Sequence, residues 1–247
     1  GLPNYRNFSF YRGYSFSGPY KQIINNVKVL RVPIIPRYSN SKLSIFIFYL
    51  SYFLSTSIFL LFFSLIKRNK FDHMMSFCGS PVYVGLLTNF FSKIINCQNS
   101  QWVQDIWPEG IESTVGIKSN FLKKYINFLQ NLMWNKSDIL FAQSDDLSLF
   151  LSENTKCKKI STLYNPVRIE NISRHKELKS DKTIFSFMGT IGKGRSIESL
   201  IESFDSLKDS NIFLNICGDG PELPNLRKKY TSKNIIWHGW LNSNQLD

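Results

Sequence analysis

Alanine is almost absent from this sequence, and segment 1–70 contains no aspartate or glutamate. Alanine occurs once in 247 residues, at Ala142, while Ile, Asn, Lys, Ser and Phe are abundant. That bias indicates drift in overall composition rather than a particular fold. Ten of the 30 Lys and Arg residues lie in 1–70, where no acidic residue balances them. Such local positive charge indicates an anionic partner, and the candidates are a phospholipid, a diphosphate and nucleic acid. The alternative is that the charged residues only form a solvated face.

The sequence also lacks the patterns of a metal site. Its cysteines lie far apart, so they form no Cys-x-x-Cys unit and no zinc pattern; they are Cys78, Cys97, Cys157 and Cys217. Each cysteine has apolar neighbours, which predicts reduced, buried thiols in a cytosolic protein. No Asp-x-Asp triplet occurs, so we expect that no metal is required.

Neither end of the sequence resembles a natural terminus. The chain begins at Gly1 rather than Met and ends at Asp247 without a closing helix, so we expect it to be truncated at both ends. No signal peptide is recognisable. A hydrophobic content of 43% excludes a disordered chain and provides for one large domain or two small ones.

Residues 43–66 form an uncharged apolar run that is long enough for a helix crossing a bilayer. Segments 26–32 and 71–77, on either side of the run, both have strand patterns. If the two strands share one sheet, the run cannot place them on opposite sides of a membrane. We therefore expect a helix packed on its own domain, with an aromatic outer face and basic flanks in the membrane interface. The alternative is a single transmembrane helix.

Strands and helices alternate from residue 71 onward. Predicted strands end near residues 78, 103, 143, 164, 188 and 217. This alternation predicts parallel sheets with helices on both faces. The polar stretch 165–182 predicts a linker, so we expect an N-terminal domain over 1–164 and a second domain over 183–247. Two such domains would form a cleft, with ligands at the carboxyl ends of the strands.

A glycine-rich turn follows the first strand of the second domain. Residues 189–195 read Gly-Thr-Ile-Gly-Lys-Gly-Arg and precede a predicted helix. Glycines let the backbone approach an anion, and the amides of a helix N-terminus attract phosphate. Lys193 and Arg195 add two positive charges, and a guanidinium group can bind two phosphate oxygens. The turn therefore predicts a diphosphate site; the alternative is an ordinary strand–helix connection.

Motifs in both halves resemble the family 4 retaining glycosyltransferases, which have the GT-B fold. In the second half the matching residues are Phe187-Met188-Gly189, Arg195, Gly218-Asp219-Gly220-Pro221 and Gly239. In the first half, 1–5, 29–33, 103–109 and 164–167 resemble the branch of L-fucosamine and colanic-acid transferases of bacterial surface polysaccharide biosynthesis. The resemblance covers nearly the whole chain. It implies two Rossmann-like, doubly wound parallel-sheet domains, both incomplete here.

The resemblance implies transfer of a sugar, with retention, from a nucleoside-diphosphate sugar to a polyprenyl-diphosphate-linked glycan. A UDP-type donor is favoured, and no cofactor is implied. The catalytic candidates are Arg195, Lys193, Asp105 and Glu109. The donor-binding candidates are Gly189, Thr190, Gly192, Gly218, Gly220 and Pro221. The acceptor-binding candidates are Gln104 and Trp107.

Some positions depart from the family pattern. Thr190 stands where many members have arginine, Ser196 stands where glycine is usual, and Gln104 replaces a histidine. Donor binding is therefore expected to depend on Arg195 and Lys193. Asp105 and Glu109 have an alternative role as caps of the following helix. Because the first strand and the glutamate-rich motif are missing, we expect this chain to be inactive alone.

The combined interpretation is a peripheral or monotopic enzyme of O-antigen, capsule or exopolysaccharide synthesis. It would act at the cytoplasmic face of the bacterial inner membrane, bound to an anionic surface and not to nucleic acid. One alternative is an NAD-dependent sugar-nucleotide epimerase or reductase, because Gly189, Gly192 and Gly194 fit its fingerprint. The order of the motifs opposes this alternative. Its glycine fingerprint should precede a Tyr-x-x-x-Lys pair, but the only such pair, Tyr38 and Lys42, comes before the glycines. The other alternative is a non-enzymatic basic membrane-binding module.

Overall fold

Two parallel sheets, one in each half of the chain, organise the structure. The computed structural model describes residues 1–4, 9–39, 41–66, 70–79, 83–107, 119–167, 182–192, 197–207, 211–242 and 245. Among these residues, one compact unit ends at Pro166 and the other begins at Val167. We call them the first and second units. The predicted parallel-sheet α/β architecture is confirmed in each.

The sheet of the first unit contains four parallel strands. In spatial order they are β3 (His73–Cys78), β4 (Gln98–Val103), β5 (Ile139–Ala142) and β6 (Ile160–Thr162). The ends of the strands are in register, because Val103 pairs with both Cys78 and Ala142, and Ala142 pairs with Thr162. The residues that follow the strands therefore lie side by side at one edge of the sheet.

The helices of the first unit in the described ranges are α1 (Lys42–Ile66), α2 (Val84–Ile95), α3 (Asn120–Asn135) and α4 (Asp145–Asn154). Serine side chains cap the last two, since Ser119 accepts from the Leu122 amide and Ser144 accepts from the Leu147 amide. Apolar side chains of α3, α4, β4 and β5 form a core around the fully buried Trp134. Each large side chain in that core stabilises the unit by about 1.5–3 kcal/mol.

The strand expected over 26–32 is shorter, and it is not part of the four-stranded sheet. β1 (Lys21–Ile24) and β2 (Val27–Leu30) form an antiparallel hairpin in a separate two-stranded sheet. Asn25 and Asn26, with φ of 48° and 63°, make the two-residue turn that such hairpins favour. The condition that this strand shares a sheet with 71–77 is therefore not met. The argument against a membrane span that depended on it fails as well.

The apolar run forms α1, which packs beside α2. The helix Leu43–Ile66 is long and apolar enough to cross a membrane. Its outer face differs from the predicted aromatic one. Most aromatic side chains, such as Tyr52 and Phe53, are half-buried, and the outward residues are mainly leucine and isoleucine. The aromatic rings point inward because there they pack against partners such as Tyr83, whose ring lies 5.2 Å from that of Phe53.

The second unit contains a smaller sheet of three parallel strands, β7 (Thr183–Met188), β8 (Ile212–Cys217) and β9 (Ile235–Gly239). Its helices are α5 (Ile197–Asp205) and α6 (Leu223–Lys229). In α5 the buried residues Ile197, Ile201 and Phe204 recur at helical spacing and face the sheet. They join Leu214 and Ile216 in one apolar core, which fixes the loops at the carboxyl ends of the strands.

The four cysteines are free, and two of them, Cys78 and Cys217, are buried. Burial raises the pKa of the Cys78 thiol to about 11. We expect maleimide at neutral pH to label Cys78 about 100-fold more slowly than the half-buried Cys157, because the thiolate is the reactive form. Timed labelling followed by peptide mass spectrometry measures both rates, with urea-unfolded protein as the control. Similar rates in the native protein would contradict the buried position.

Candidate functional site

Two turns at the carboxyl edge of the second sheet lie against each other. The Gly189 amide donates to the Cys217 carbonyl at 3.0 Å, and the Ile191 amide donates to the Asp219 carbonyl at 3.0 Å. The Glu222 amide returns a hydrogen bond to the Ile191 carbonyl at 3.2 Å. The turn after β7 and the turn after β8 are therefore joined backbone to backbone, although they are well separated in the sequence.

Glycine is required where the turns touch. A Cβ atom on Gly218 would overlap the Gly189 carbonyl, and a Cβ atom on Gly220 would overlap the Ile191 carbonyl. Both obstacles are backbone atoms, which cannot rotate aside as a side chain can. Gly218 also has a φ of +154°. Close approach of two backbones, rather than an anion alone, therefore accounts for these two glycines.

The predicted donor-binding residues occupy different parts of this edge. The amides of Gly189, Gly218 and Gly220 all donate within the protein, the last two to the Gly239 carbonyl and the Asp219 carboxylate. Gly192 lies beside open space, with no atom within 4 Å of a Cβ built on it. Thr190 and Pro221 are exposed. Lys193 and Arg195 lie outside the described residues, between Gly192 and the first residue of α5.

The carboxyl edge of the first sheet carries a cluster of three side-chain amides, Gln104, Gln143 and Asn165. The Asn165 amide donates to Gln104 Oε1 at 2.9 Å and to Gln143 Oε1 at 3.0 Å. Gln143 in turn donates to the Gln104 carbonyl at 2.6 Å. Among the residues that the structure describes, the buried Gln104 Nε2 has no hydrogen-bond partner, an arrangement that suits an acceptor group of a ligand. We refer to these residues as the amide cluster.

A cavity of about 430 Å³ adjoins the amide cluster and is lined by Gln104, Asp105, Ile106, Gln143, Asp146, Leu147 and Phe150. Asp105 is exposed at its rim. Trp107 packs against the core of the first unit, and its amide donates to Gln130 Oε1 at 2.6 Å. Part of the indole is therefore covered. Glu109 lies outside the described residues.

A further carboxylate of this edge, Asp145, accepts hydrogen bonds from two hydroxyl groups. Thr162 donates to Asp145 Oδ1 at 2.6 Å, and Tyr164 donates to Asp145 Oδ2 at 2.7 Å. These hydrogen bonds lower the pKa of Asp145. The sequence interpretation did not select Asp145, Gln143 or Asn165 as site residues. The available signal was that Gln143 directly follows β5 and that Asn165 comes three residues after β6.

Within the described part of the chain, no three His, Cys, Asp or Glu side chains are close enough to hold a metal ion. The expectation that the reaction needs no metal and no cofactor stays a prediction.

No protein-family model and no curated protein sequence matches the chain. Solved structures do match it. HepE from Anabaena, solved with UDP and glucose, gives a TM-score of 0.55 at 10% identity over 83% of this chain and 55% of that one. TarM gives 0.54 at 16% identity over 79% and 38%. A substituted S. aureus TarM solved with fondaparinux, α-GlcNAc-glycerol and UDP gives 0.52 at 18% identity over 77% and 37%.

The chain spans about half the length of HepE and less than half of TarM. At such low sequence identities, these likenesses concern architecture rather than substrates. They agree with the parallel-sheet α/β architecture of the two units. The fold of this chain is that of the GT-B group of α/β proteins, as the sequence predicted.

Proposed function

We propose that the chain is part of a retaining glycosyltransferase that moves a sugar from a UDP-sugar to a polyprenyl-diphosphate-linked glycan. The observation that carries the proposal is the joined pair of glycine turns at the carboxyl edge of the second sheet. That edge is where α/β folds bind nucleotides. HepE and the substituted TarM, which share the fold, were both solved with UDP.

In this proposal the joined turns hold the backbone in place up to the point where Lys193 and Arg195 follow in the sequence. The amides of Gly189 and Ile191 are already used, so the diphosphate depends on these two cations and on the amides at the start of α5. The bond between the anomeric carbon and the diphosphate breaks with its electron pair on the leaving group. Cations placed beforehand beside that group lower the barrier.

The first unit binds the acceptor in this proposal. An acceptor hydroxyl forms the new bond to the anomeric carbon, and its proton passes to the leaving diphosphate or to a carboxylate such as Asp105. The amide cluster offers Gln104 Nε2, which has no partner within the described part of the chain, to a sugar oxygen. A surface polysaccharide such as O-antigen or capsule is the product class, made at the cytoplasmic face of the bacterial inner membrane.

The test is replacement of Arg195 by alanine in the full-length protein, assayed with labelled UDP-sugars and lipid-linked acceptor. We expect kcat/KM to fall by about 10- to 100-fold, because a hydrogen-bonded charge beside the diphosphate is lost. Label in the extracted lipid measures the rate. Lys228→Ala, which removes an exposed charge from α6, is the matched control and should retain the parent rate. Equal turnover by Arg195→Ala and the parent would refute the proposed role of this loop.

A further inference from the structure

Helix α1 presents an uninterrupted apolar stripe to the outside of the first unit. The exposed residues are Leu43, Phe46, Leu50, Leu54, Ile58, Leu61, Phe62, Leu65 and Ile66. They recur mainly at steps of three and four residues, which places them along one side of the helix. Among the described side chains of α1, every exposed one is Leu, Ile or Phe. From Leu43 to Leu65 the stripe is about 33 Å long.

The opposite side of α1 is fixed to the first unit by polar contacts. The backbone amides of Tyr38 and Ile35 donate to Ser44 Oγ at 3.0 Å and to Ser51 Oγ at 2.9 Å. The Tyr83 hydroxyl, just before α2, donates to the Tyr49 carbonyl at 2.6 Å. Contacts therefore hold the N-terminal half of α1 against an irregular segment and against α2.

Ring contacts continue this attachment toward the C-terminal end of the helix. The rings of Phe63 and Phe71 lie 5.5 Å apart, so the packed side of α1 extends over most of its length. A helix that crossed a bilayer in this state would carry segment 35–38 into the hydrocarbon. Irregular backbone exposed to lipid is not tolerated there, because its amides and carbonyls lose hydrogen bonds to water. The packing therefore favours a helix that lies along the membrane.

Charge identifies the surface that α1 fits. Segment 1–70 carries ten basic residues and no acidic one, and Lys42 and Lys67 directly bracket the stripe in the sequence. Arg12, Lys21, Lys28 and Lys70 are exposed on the first unit. A protein partner would need polar groups within the contact, about one hydrogen bond per 100–200 Å², and the stripe provides no polar side chain. A bilayer with anionic headgroups needs none.

We propose that the first unit docks on an anionic phospholipid bilayer through the outer stripe of α1, with the helix in the plane of the interface. Leu50, Leu54 and Ile58 form the centre of this docking surface. The helix axis lies parallel to the membrane, and the stripe enters to a depth of about 5–10 Å. The proposal does not depend on sugar transfer, since it concerns only a surface of the first unit.

The first test is flotation of the purified chain with vesicles of phosphatidylethanolamine and phosphatidylglycerol. The triple change Leu50→Gln, Leu54→Gln and Ile58→Gln should lower partition by about 50-fold, because three apolar side chains that would enter the membrane become polar. The matched control is Phe121→Gln, Tyr125→Gln and Phe128→Gln, which changes three exposed apolar residues of α3. It should alter partition less than about twofold. Circular dichroism verifies that both variants remain folded.

Three results of this test would overturn the proposal: no flotation of the parent chain, parent-like flotation of the α1 variant, or equal loss in the α3 variant. The chain should bind more weakly to vesicles of phosphatidylcholine alone. The difference in binding between anionic and neutral vesicles should be larger at low salt, where charges are screened less. Equal binding to neutral vesicles would remove the role of charge and thereby contradict an anionic surface.

A second test separates a helix in the membrane plane from one that crosses it. Cysteines are placed one at a time by Leu43→Cys, Leu54→Cys and Leu65→Cys in a chain whose Cys97 and Cys157 are serine. Cys78 and Cys217 are buried and remain. A fluorophore on each site is quenched by lipids brominated at different depths. Equal, shallow depths at all three sites are expected, whereas a deep central site between two shallow ends would disprove the orientation.

Discussion

Gly218→Ala is expected to destabilise the second unit by about 3–5 kcal/mol. The added methyl group would overlap the Gly189 carbonyl, which is backbone and belongs to the adjoining turn. Relief requires separation of the turns, and this would break the hydrogen bonds from Gly189 to Cys217 and from Ile191 to Asp219. The φ of +154° adds backbone strain for any residue with a side chain. Because the turns adjoin the proposed donor site, affinity for UDP should be lost as well.

Hydrogen exchange of the peptides that cover β7 and β8 measures the local loss of stability, and calorimetry measures UDP binding. Gly192→Ala is the matched control, since a Cβ atom there meets nothing within 4 Å. We expect it to change the free energy of unfolding by less than about 0.5 kcal/mol. If the two alanine variants were equally stable, the contact between the turns would not exist in solution.

Gln101→Leu is expected to destabilise the first unit by about 2–4 kcal/mol. Gln101 is fully buried on the inner strand β4, where its Nε2 donates to Asn89 Oδ1 at 3.1 Å and to the carbonyls of Gly85 and Met133 at 3.3 Å. Its Oε1 accepts from the Cys78 thiol at 3.6 Å. Leucine has a similar volume but cannot make these bonds, so acceptors on α2 would stay buried without a donor.

The Met133 carbonyl would keep its bonds from Asn89 and Ser137, which limits the loss. Urea denaturation followed by tryptophan fluorescence gives the free energy of unfolding. Gln98→Leu makes the same change at an exposed position of the same strand and should cost less than about 0.5 kcal/mol. If both variants lost the same free energy of unfolding, the hydrogen bonds of Gln101 would contribute no more than the difference in strand propensity between glutamine and leucine.

The strands of the second unit were predicted best. Thr183–Met188 and Ile212–Cys217 end at the residues expected from the sequence, because each is a compact run of β-forming residues before a glycine turn. The hairpin around Asn25 and Asn26 was not recognised, although two asparagines between short apolar runs are a turn signal. A strand pattern identifies the strand but not its partner, so the sequence could not tell that 26–32 pairs in a hairpin rather than with 71–77.

Sequence reasoning found one member of the amide cluster and missed the other two. Gln104 was selected and lies at the strand edge as expected, but its partners Gln143 and Asn165 were not selected. They come from other strand ends, 39 and 61 residues further along the chain. Only the pairing of β4, β5 and β6 brings the three amides together. The roles of Arg195, Lys193 and Glu109, which lie outside the described residues, stay predictions.

The sequence by itself determined what short segments decide: the order of strands and helices, the glycine turns and the uncharged length of α1. Periodicity, turn residues and charge act over a few neighbouring residues, so they can be read along the chain. The tertiary structure alone decided that the turn at Gly218 packs against the Gly189 carbonyl and that the aliphatic side of α1 is exposed. Both depend on which distant segments pack together, and packing follows from the summed burial of many side chains rather than from any local pattern.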